Sequence, residues 1–159
     1  LVTDDGSVLS QSLAIIDWLD ETHPVPPLLP ADPNERARVR SIALAIACDI
    51  HPLNNLRVLN YLSNTLGVTA EQRTGWYRYW IDLGFEALEK RLAGDPRTGA
   101  FCHGSSPTLA DVCLVPQVAN ARRFQVDLSP YPAIVRIDAA CAALPAFADA
   151  APARQPDAE

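Results

Sequence analysis

Five prolines crowd into the ten residues 24–33 and divide the chain into two unequal parts. Each proline fixes a backbone dihedral and lacks an N–H group, so neither a helix nor a central strand can run through this segment. The segment is predicted to be a stiff, extended connector. We therefore predict one unit over 1–23, the connector, a second unit over 34–151 and a tail over 152–159.

The part before the connector carries signals for both a strand pair and a helix. Leu1-Val2-Thr3 and Val8-Leu9 flank an Asp-Gly turn, which predicts a β-hairpin. Apolar residues at helical spacing predict a helix over 12–22, with Ser12 as its N-cap. Because an isolated hairpin is barely stable in water, it should belong to a larger sheet. The chain begins at Leu1 and contains no methionine, so we expect it to be part of a longer protein.

Everything after the connector has helical periodicity. The pattern predicts a long helix over about 34–65, a second over 69–92, a third beginning at 108, and further helices over 130–142 and 145–150. In the second helix, the side chains expected to face inward are Trp76, Trp80, Leu83 and Leu88. The third helix is apolar on nearly all sides, which is typical of the centre of a bundle.

A polar cluster interrupts the first of these long helices. The apolar residues 42–48 lead directly into the sequence Asp49-Ile-His-Pro-Leu-Asn-Asn-Leu-Arg57. Burying so many hydrogen-bonding groups is costly unless each finds a partner. The cluster therefore predicts one wall of a ligand cleft. The alternative is a structural role, in which the side chains satisfy backbone groups that Pro52 leaves free.

Composition narrows the classes of partner. The net charge is −6 and the basic residues are scattered, so nucleic acid is not expected as a partner. The sequence shows neither a signal peptide nor an apolar run of bilayer length, and we expect no membrane association.

Four cysteines are present, at 48, 102, 113 and 141, without the spacing of a metal site. We expect no metal, and structural thiols in the reducing cytoplasm. Cys102 is expected to be the most exposed of them, with His103 able to make it reactive.

Several motifs resemble the zeta class of glutathione transferases, which contains maleylacetoacetate and maleylpyruvate isomerases. Ser10-Gln11-Ser12-Leu13 resembles the Gln-Ser element before the third helix of their thioredoxin-like domain, and Thr108-Leu109-Ala110-Asp111 resembles the N-capping element of their core helix. Further segments that resemble this class are Asp49–Arg57, Leu114–Gln117, Asn120–Phe124, Val126–Pro132 and Arg154–Asp157. The His-Pro-Leu-Asn-Asn and Arg-Arg-Phe sequences within them are the most specific matches.

The resemblance implies a mostly α fold, in which the helical bundle of the transferase C-terminal domain follows the last β-hairpin and helix of a thioredoxin-like α/β domain. It implies glutathione as cofactor. Gln11 and Ser12 are expected to hold its γ-glutamyl end, where a helix N-terminus favours a carboxylate. His51 and Asn55 are expected to contact glutathione as well. A simple N-cap serine is the alternative reading of Ser12.

The reaction implied by the resemblance is the glutathione-dependent cis–trans isomerisation of maleylacetoacetate to fumarylacetoacetate in aromatic amino-acid (tyrosine) catabolism. Arg57 and Arg123 are the candidates for binding the carboxylates of this small dicarboxylate substrate, because guanidinium groups bind carboxylates bidentately. The family's thiol-activating motif lies near its N-terminus, so the catalytic residues are expected upstream of Leu1.

Three other functions stay open at this point. One is maleylpyruvate isomerisation in gentisate catabolism, and another is a different glutathione transferase reaction such as dehalogenation of small halo acids. The third is a non-catalytic, transferase-like binding module. The family also implies a homodimer, formed by the long helices after the connector.

Overall fold

Residues 1–156 are described by a computed structural model, and helices dominate it. Its α-helices are α1 (Ser12–Thr22), α2 (Pro33–Leu44), α3 (Leu56–Asn64), α4 (Ala70–Gly94), α5 (Leu109–Arg123), α6 (Pro132–Ala142) and α7 (Pro145–Asp149). A π-helical segment (Ala45–Ile50) and two 3-10 segments (His51–Asn54 and Pro152–Arg154) complete the helical structure. The predicted mostly α fold is confirmed. Of the predicted tail over 152–159, residues 157–159 lie outside the described residues.

The first ten residues form the predicted hairpin in its shortest form. Val2 and Val8 make an antiparallel bridge, and the Leu9 N–H donates to the Leu1 carbonyl at 2.9 Å. Gly6 adopts a φ of +82°, a conformation that glycine reaches at no steric cost and that the tight turn requires.

The start of α1 differs from the sequence prediction by one residue. Gln11, and not Ser12, is the N-cap, and Ser12 is the first helical residue. Gln11 has a φ of +72°, which a side chain other than glycine rarely adopts. No side chain caps this end of the helix, so its first N–H groups have neither intrahelical nor side-chain acceptors.

The connector is tied to the elements on both sides of it. The Leu28 N–H donates to Asp20 Oδ1 at 2.6 Å, and the Leu28 carbonyl accepts from the Leu109 N–H at 3.0 Å. These bonds join α1, the connector and the start of α5. The domain boundaries drawn from the prolines stay a prediction.

The long helix predicted over 34–65 is wrong as a single element. Asp32 begins α2 by accepting from the N–H groups of Asn34 and Glu35, with Pro33 in the first turn. The helix then widens into the π segment, tightens into the 3-10 segment that contains Pro52, and breaks at Asn55. Asn55 has extended dihedrals and caps α3. The polar cluster therefore lies where the helix is irregular, since proline cannot donate the helical bond.

The core lies around α5, as its apolar sequence predicted. α5 packs against α2 and α6, while α4 packs against α6 and the π segment. At the start of α5, the buried Asp111 carboxylate accepts from the N–H and hydroxyl groups of Thr108 at 2.8 and 2.9 Å, and from the Cys102 N–H at 2.8 Å. This capping carboxylate also holds the loop before α5 in place.

The predicted inward face of α4 was only partly right. Leu88 is buried, but Leu83 keeps 47% of its surface exposed. Tyr77, Ile81 and Phe85 fill the core instead. None of the helices within residues 1–156 has the length and apolar character needed to cross a bilayer.

Candidate active site

A cleft of about 580 Å³ opens between the start of α1, the irregular segment after α2, the start of α3 and one face of α5. Of the six residues predicted to bind cofactor or substrate, five line it, namely Gln11, Ser12, His51, Asn55 and Arg57. The residues come from both sides of the proline connector. Folding therefore joins two regions that the sequence separates by about forty positions.

The α1 wall of the cleft combines a strained residue with an uncapped helix end. Gln11 and Ser12 both line the cleft and are exposed. The positive end of the helix dipole and the free N–H groups of the first turn favour an anion here. The positive φ of Gln11 fits a functional constraint, because strained backbone concentrates at ligand sites. This wall can hold a carboxylate.

The polar cluster forms the opposite wall, and its residues have two roles, one structural and one in lining the cleft. Asn54 is buried and donates from Nδ2 to the Tyr77 carbonyl at 3.3 Å, while Trp76 Nε1 donates to the Leu53 carbonyl at 2.8 Å. These bonds fix the irregular segment to α4. Asn55 accepts from the Arg57 N–H at 3.1 Å through Oδ1, which caps α3. The cluster thus satisfies backbone groups and lines the cleft at the same time.

The two predicted carboxylate-binding arginines are placed differently. Arg57 lines the cleft, is exposed, and forms no ion pair within the described chain. Arg123 does not line the cleft. It lies one helical turn past Asn120, which does, and its guanidinium lies 5.9 Å from the centroid of the Phe124 ring. A role for Arg123 in substrate binding stays a prediction.

The sequence reasoning missed the α5 wall, which is formed by Cys113, Pro116, Gln117 and Asn120 among others. Gln117 is buried, with 2% of its surface exposed, although it lines the cleft. A glutamine inside an otherwise apolar core helix was the available signal. Burial raises the pKa of the Cys113 thiol to about 11, so this side chain is a neutral part of the wall at pH 7.

The expectation that Cys102 would be the most exposed cysteine was wrong, since Cys48 is exposed and Cys102 is buried. Its side chain is fully buried, and burial raises the pKa of its thiol far above the usual range, so no thiolate forms there. His103 lies 3.2 Å from Arg38 Nη1 and 3.4 Å from Glu35, and it belongs to a structural network. Nor do three or more His, Cys, Asp or Glu side chains come together as metal ligands within residues 1–156.

Known proteins match both the sequence and the fold. The profile of the glutathione S-transferase C-terminal domain matches residues 81–153. A maleylpyruvate isomerase from Ralstonia is 56% identical over 155 residues, which are 97% of this chain and 73% of the relative. A holo structure of a zeta-class maleylpyruvate isomerase superimposes with a TM-score of 0.96 at 53% identity, covering 99% of this chain and 74% of that one.

The chain belongs to the zeta class of glutathione transferases. The resemblance drawn from the motifs is thereby confirmed, and the chain is part of a family of isomerases.

Two further zeta-class relatives carry the name of the other isomerase. A probable maleylacetoacetate isomerase from Vibrio cholerae is 55% identical over 97% of this chain and 71% of its own length. The structure of a maleylacetoacetate isomerase from Methylobacterium extorquens AM1, with bound malonate and glutathione, superimposes with a TM-score of 0.96. It is 42% identical, and the match covers all of this chain and 74% of that one. Relatives of both names are thus highly similar to this chain, at 56% and 55% identity for the two bacterial sequences.

Proposed function

We propose that the protein is a glutathione-dependent cis–trans isomerase of a small dioxo dicarboxylic acid, with maleylacetoacetate as its substrate. The single observation that carries the proposal is the convergence of Gln11, Ser12, His51, Asn55 and Arg57 on one cleft. A helix N-terminus, neutral donors and a guanidinium group are the elements that two anionic ligands require.

Glutathione fits the chemistry of the α1 side of this cleft. Its γ-glutamyl carboxylate would take the uncapped N–H groups at Ser12, with the Gln11 side chain beside it. His51 and the free amide NH₂ of Asn55 would bind from the opposite wall. The Methylobacterium relative was solved with bound glutathione, which supports glutathione as the ligand. When bound, glutathione supplies a thiolate that adds reversibly to the substrate double bond and so permits rotation about it.

The residues of this chain contribute binding, orientation and charge. Arg57 would hold one substrate carboxylate in a bidentate pair and so fix the double bond near the cofactor site. As charge develops on the conjugated carbonyl, fixed cations and N–H donors in the cleft lower the barrier. We propose Arg123 for the second carboxylate. The bound malonate in the same relative supports a dicarboxylate substrate.

Maleylpyruvate is the second candidate substrate. The Ralstonia relative that carries this activity in its name is 56% identical, against 55% for the probable maleylacetoacetate isomerase of Vibrio cholerae. The two acids share the cis-dioxo carboxylate that the cleft would bind and differ in the chain beyond it. The residues identified in the cleft would bind the part that the two acids share, so they do not distinguish between the two substrates.

Turnover by the full-length protein tests the proposal. Each of the two acids is offered with and without glutathione, and isomerisation is followed by the change in absorbance of the conjugated system. We expect glutathione-dependent turnover of maleylacetoacetate. Faster turnover of maleylpyruvate would assign that substrate instead. If the protein does not bind glutathione, the proposed isomerase activity is contradicted and a non-catalytic binding module is favoured. If it releases halide from α-halo acids but isomerises neither dioxo acid, a dehalogenase is favoured.

A homodimer in the reducing cytoplasm is the assembly and location that we propose. Apolar side chains stand exposed at the end of α2 (Leu44, 45%) and on α4 (Tyr79, 59%, and Leu83, 47%). Exposed apolar patches mark interaction sites, and we propose that these three side chains form one. The four cysteines are unpaired, as is usual in reducing compartments.

A further inference from the structure

Gln117 is the one side chain of the cleft whose burial has no explanation within the fold. Only 2% of its surface is exposed, and it lies on the α5 wall of the cleft. Its Nε2 atom is fully buried and has no hydrogen-bond partner among residues 1–156. Glutamine is rarely buried in this way, because an amide loses its bonds to water and must regain them inside the protein.

The neighbouring backbone also leaves a polar group free at the same place. Pro116 has no N–H, so the carbonyl of Val112, one turn earlier, lacks its helical donor. Val112, Pro116 and Gln117 all line the cleft. Both Val112 and Gln117 therefore lie where a ligand would bind. In the rest of this helix the buried residues are apolar, apart from Asp111, which is fully hydrogen-bonded.

We propose that the Gln117 amide is a binding residue. A half-turn of the amide about its last side-chain bond brings Nε2, which is inaccessible in the free protein, to the cleft, where it donates a hydrogen bond to an oxygen of the ligand. An amide N–H is a donor only, so its partner must be an acceptor. The acceptors that the proposed function brings to the cleft are the carboxylate and carbonyl oxygens of glutathione and of the dioxo acid. The inference rests on that proposed function and adds a residue to it.

Burial decides how the free protein should respond when the amide is removed. Gln117→Met keeps an unbranched side chain of similar length and removes both polar atoms. If the amide bonds only to the ligand, removing it takes an unsatisfied buried donor out of the free protein, which should raise its stability. The same change removes a hydrogen bond from the complex, which should lower the affinity for the ligand. Stability and affinity then change in opposite directions. A merely structural amide would make both fall together.

The test measures both quantities on the full-length protein. Calorimetry gives the dissociation constant for glutathione alone, and for malonate in the presence of saturating glutathione. Thermal unfolding gives the midpoint of the free protein. For Gln117→Met we expect about a tenfold or greater loss of affinity for one of these probes, with an unfolding midpoint that is unchanged or higher. A loss with glutathione assigns the amide to the cofactor, and a loss with malonate alone assigns it to the acid.

Two further variants complete the test. Gln117→Glu keeps the shape of the side chain and replaces the donor by an acceptor, so it should lose at least as much affinity. Val118→Ala is the control, because Val118 is fully buried next to Gln117 and does not line the cleft. It should lower the unfolding midpoint and leave both dissociation constants unchanged.

Three results would overturn the inference. The first is affinity for both probes within about twofold of the wild type in both Gln117 variants. The second is a fall of stability in Gln117→Met, whether or not affinity falls with it. In either case, a wild type that binds both probes leaves the proposed function standing. A wild-type protein that binds neither glutathione nor malonate would overturn the proposed function together with the inference.

Discussion

Two adjacent arginines near the end of α5 have opposite surroundings. Arg122 Nη2 donates to Asp138 Oδ2 at 2.6 Å, and Asp138 is buried, with 4% of its surface exposed. Arg123 is exposed and makes no ion pair within residues 1–156. Adjacent helical residues point in different directions, so one guanidinium supports the fold while its neighbour is free to meet a ligand.

Exchanging each arginine for glutamine should therefore give opposite results. Arg122→Gln leaves the buried Asp138 carboxylate without its cation and should lower the free energy of unfolding by about 1–2 kcal/mol. Arg123→Gln should change the free energy of unfolding by less than about 0.5 kcal/mol but raise the dissociation constant of malonate about tenfold. Urea unfolding and calorimetry measure the two effects. If Arg123→Gln binds malonate as well as the wild type, Arg123 has no part in the site.

The surroundings of Asp95 predict how the stability of the fold depends on pH. Its carboxylate accepts from Arg97 Nε at 2.9 Å and from the buried Arg38 Nε at 2.8 Å. The bonds from Arg97, and then those from Arg38, hold the pKa of Asp95 well below its usual range. A carboxyl whose pKa is depressed by folding contributes stability above its unfolded pKa of about 3.9 and loses it as the pH falls below that value.

The expected outcome is a stability difference that disappears in acid. Asp95→Asn should unfold at a lower temperature than the wild type at pH 7, because a neutral amide pairs less strongly with two guanidinium groups. Below about pH 4 the two melting temperatures should approach each other, because the Asp95 carboxyl then takes up its proton in the unfolded wild-type chain. A difference that stays constant from pH 7 to pH 3 would show that the charge of Asp95 does not stabilise the fold.

At the scale of elements, the irregular segment between α2 and α3 shapes one wall of the cleft. The π segment ends at Ile50, so its last two residues are the first two of the polar cluster. A Cβ added at Gly84 of α4 would collide with the Ile50 side chain, so this glycine lets the end of the segment approach α4 closely. Since Ile50 is 3% exposed, it has little room to move away. Gly84 therefore helps to set the position of the wall that carries His51 and Asn55.

Two glycines of the same helix make a matched pair for testing this dependence. Gly75→Ala meets open space and should stabilise the protein by about 0.5–1 kcal/mol, the difference in helix propensity. Gly84→Ala gains the same propensity, but overpacking against Ile50 costs about 1–3 kcal/mol. We expect a net loss of stability at Gly84, together with weaker glutathione binding, measured by urea unfolding and calorimetry. Equal stabilisation at both positions would mean that Ile50 yields easily and does not fix the wall.

The sequence predicted most of the helices but not the irregular segment between α2 and α3. Helical periodicity located α1 and α4–α6 because their apolar faces repeat regularly. It did not locate the break at Asn55, because the apolar residues on both sides of the polar cluster were assigned to one helix, although Pro52 was a signal for a break. It placed Leu83 inward on apolar character alone, whereas packing against α6 and the π segment selects Tyr77, Ile81 and Phe85.

For the molecule as a whole, the polar residues that line the cleft were easier to predict than the geometry that unites them. Gln11, Ser12, His51, Asn55 and Arg57 were identified by the motifs that contain them. Gln117 was missed because its significance depends on burial without a partner, which only the folded chain reveals. Cys102 was misjudged for the same reason, since its burial comes from the packing of the loop before α5.

Exposed apolar side chains on the surface of the whole molecule predict how it assembles. Three of these side chains are Leu44 at the end of α2 and Tyr79 and Leu83 on α4. The two elements are neighbours, since α4 packs against the π segment that continues α2. Exposed apolar side chains that stay in water forgo about 25 cal/mol for each Å² that a partner could cover. A second copy of the chain is the partner that we propose. The full-length protein should then have the mass of two chains in light scattering.

Leu83→Glu tests whether this surface forms the interface. A carboxylate buried there without a cation should weaken the dimer by at least about 2 kcal/mol, so the protein should dissociate at low micromolar concentration. Val25→Glu is the control, because Val25 is an exposed apolar residue of the connector, outside α2 and α4. It should leave the mass unchanged. A monomeric wild type would refute the dimer, and a Leu83→Glu variant that stays dimeric would require another surface for the contact, since a buried unpaired carboxylate cannot be accommodated without loss of affinity.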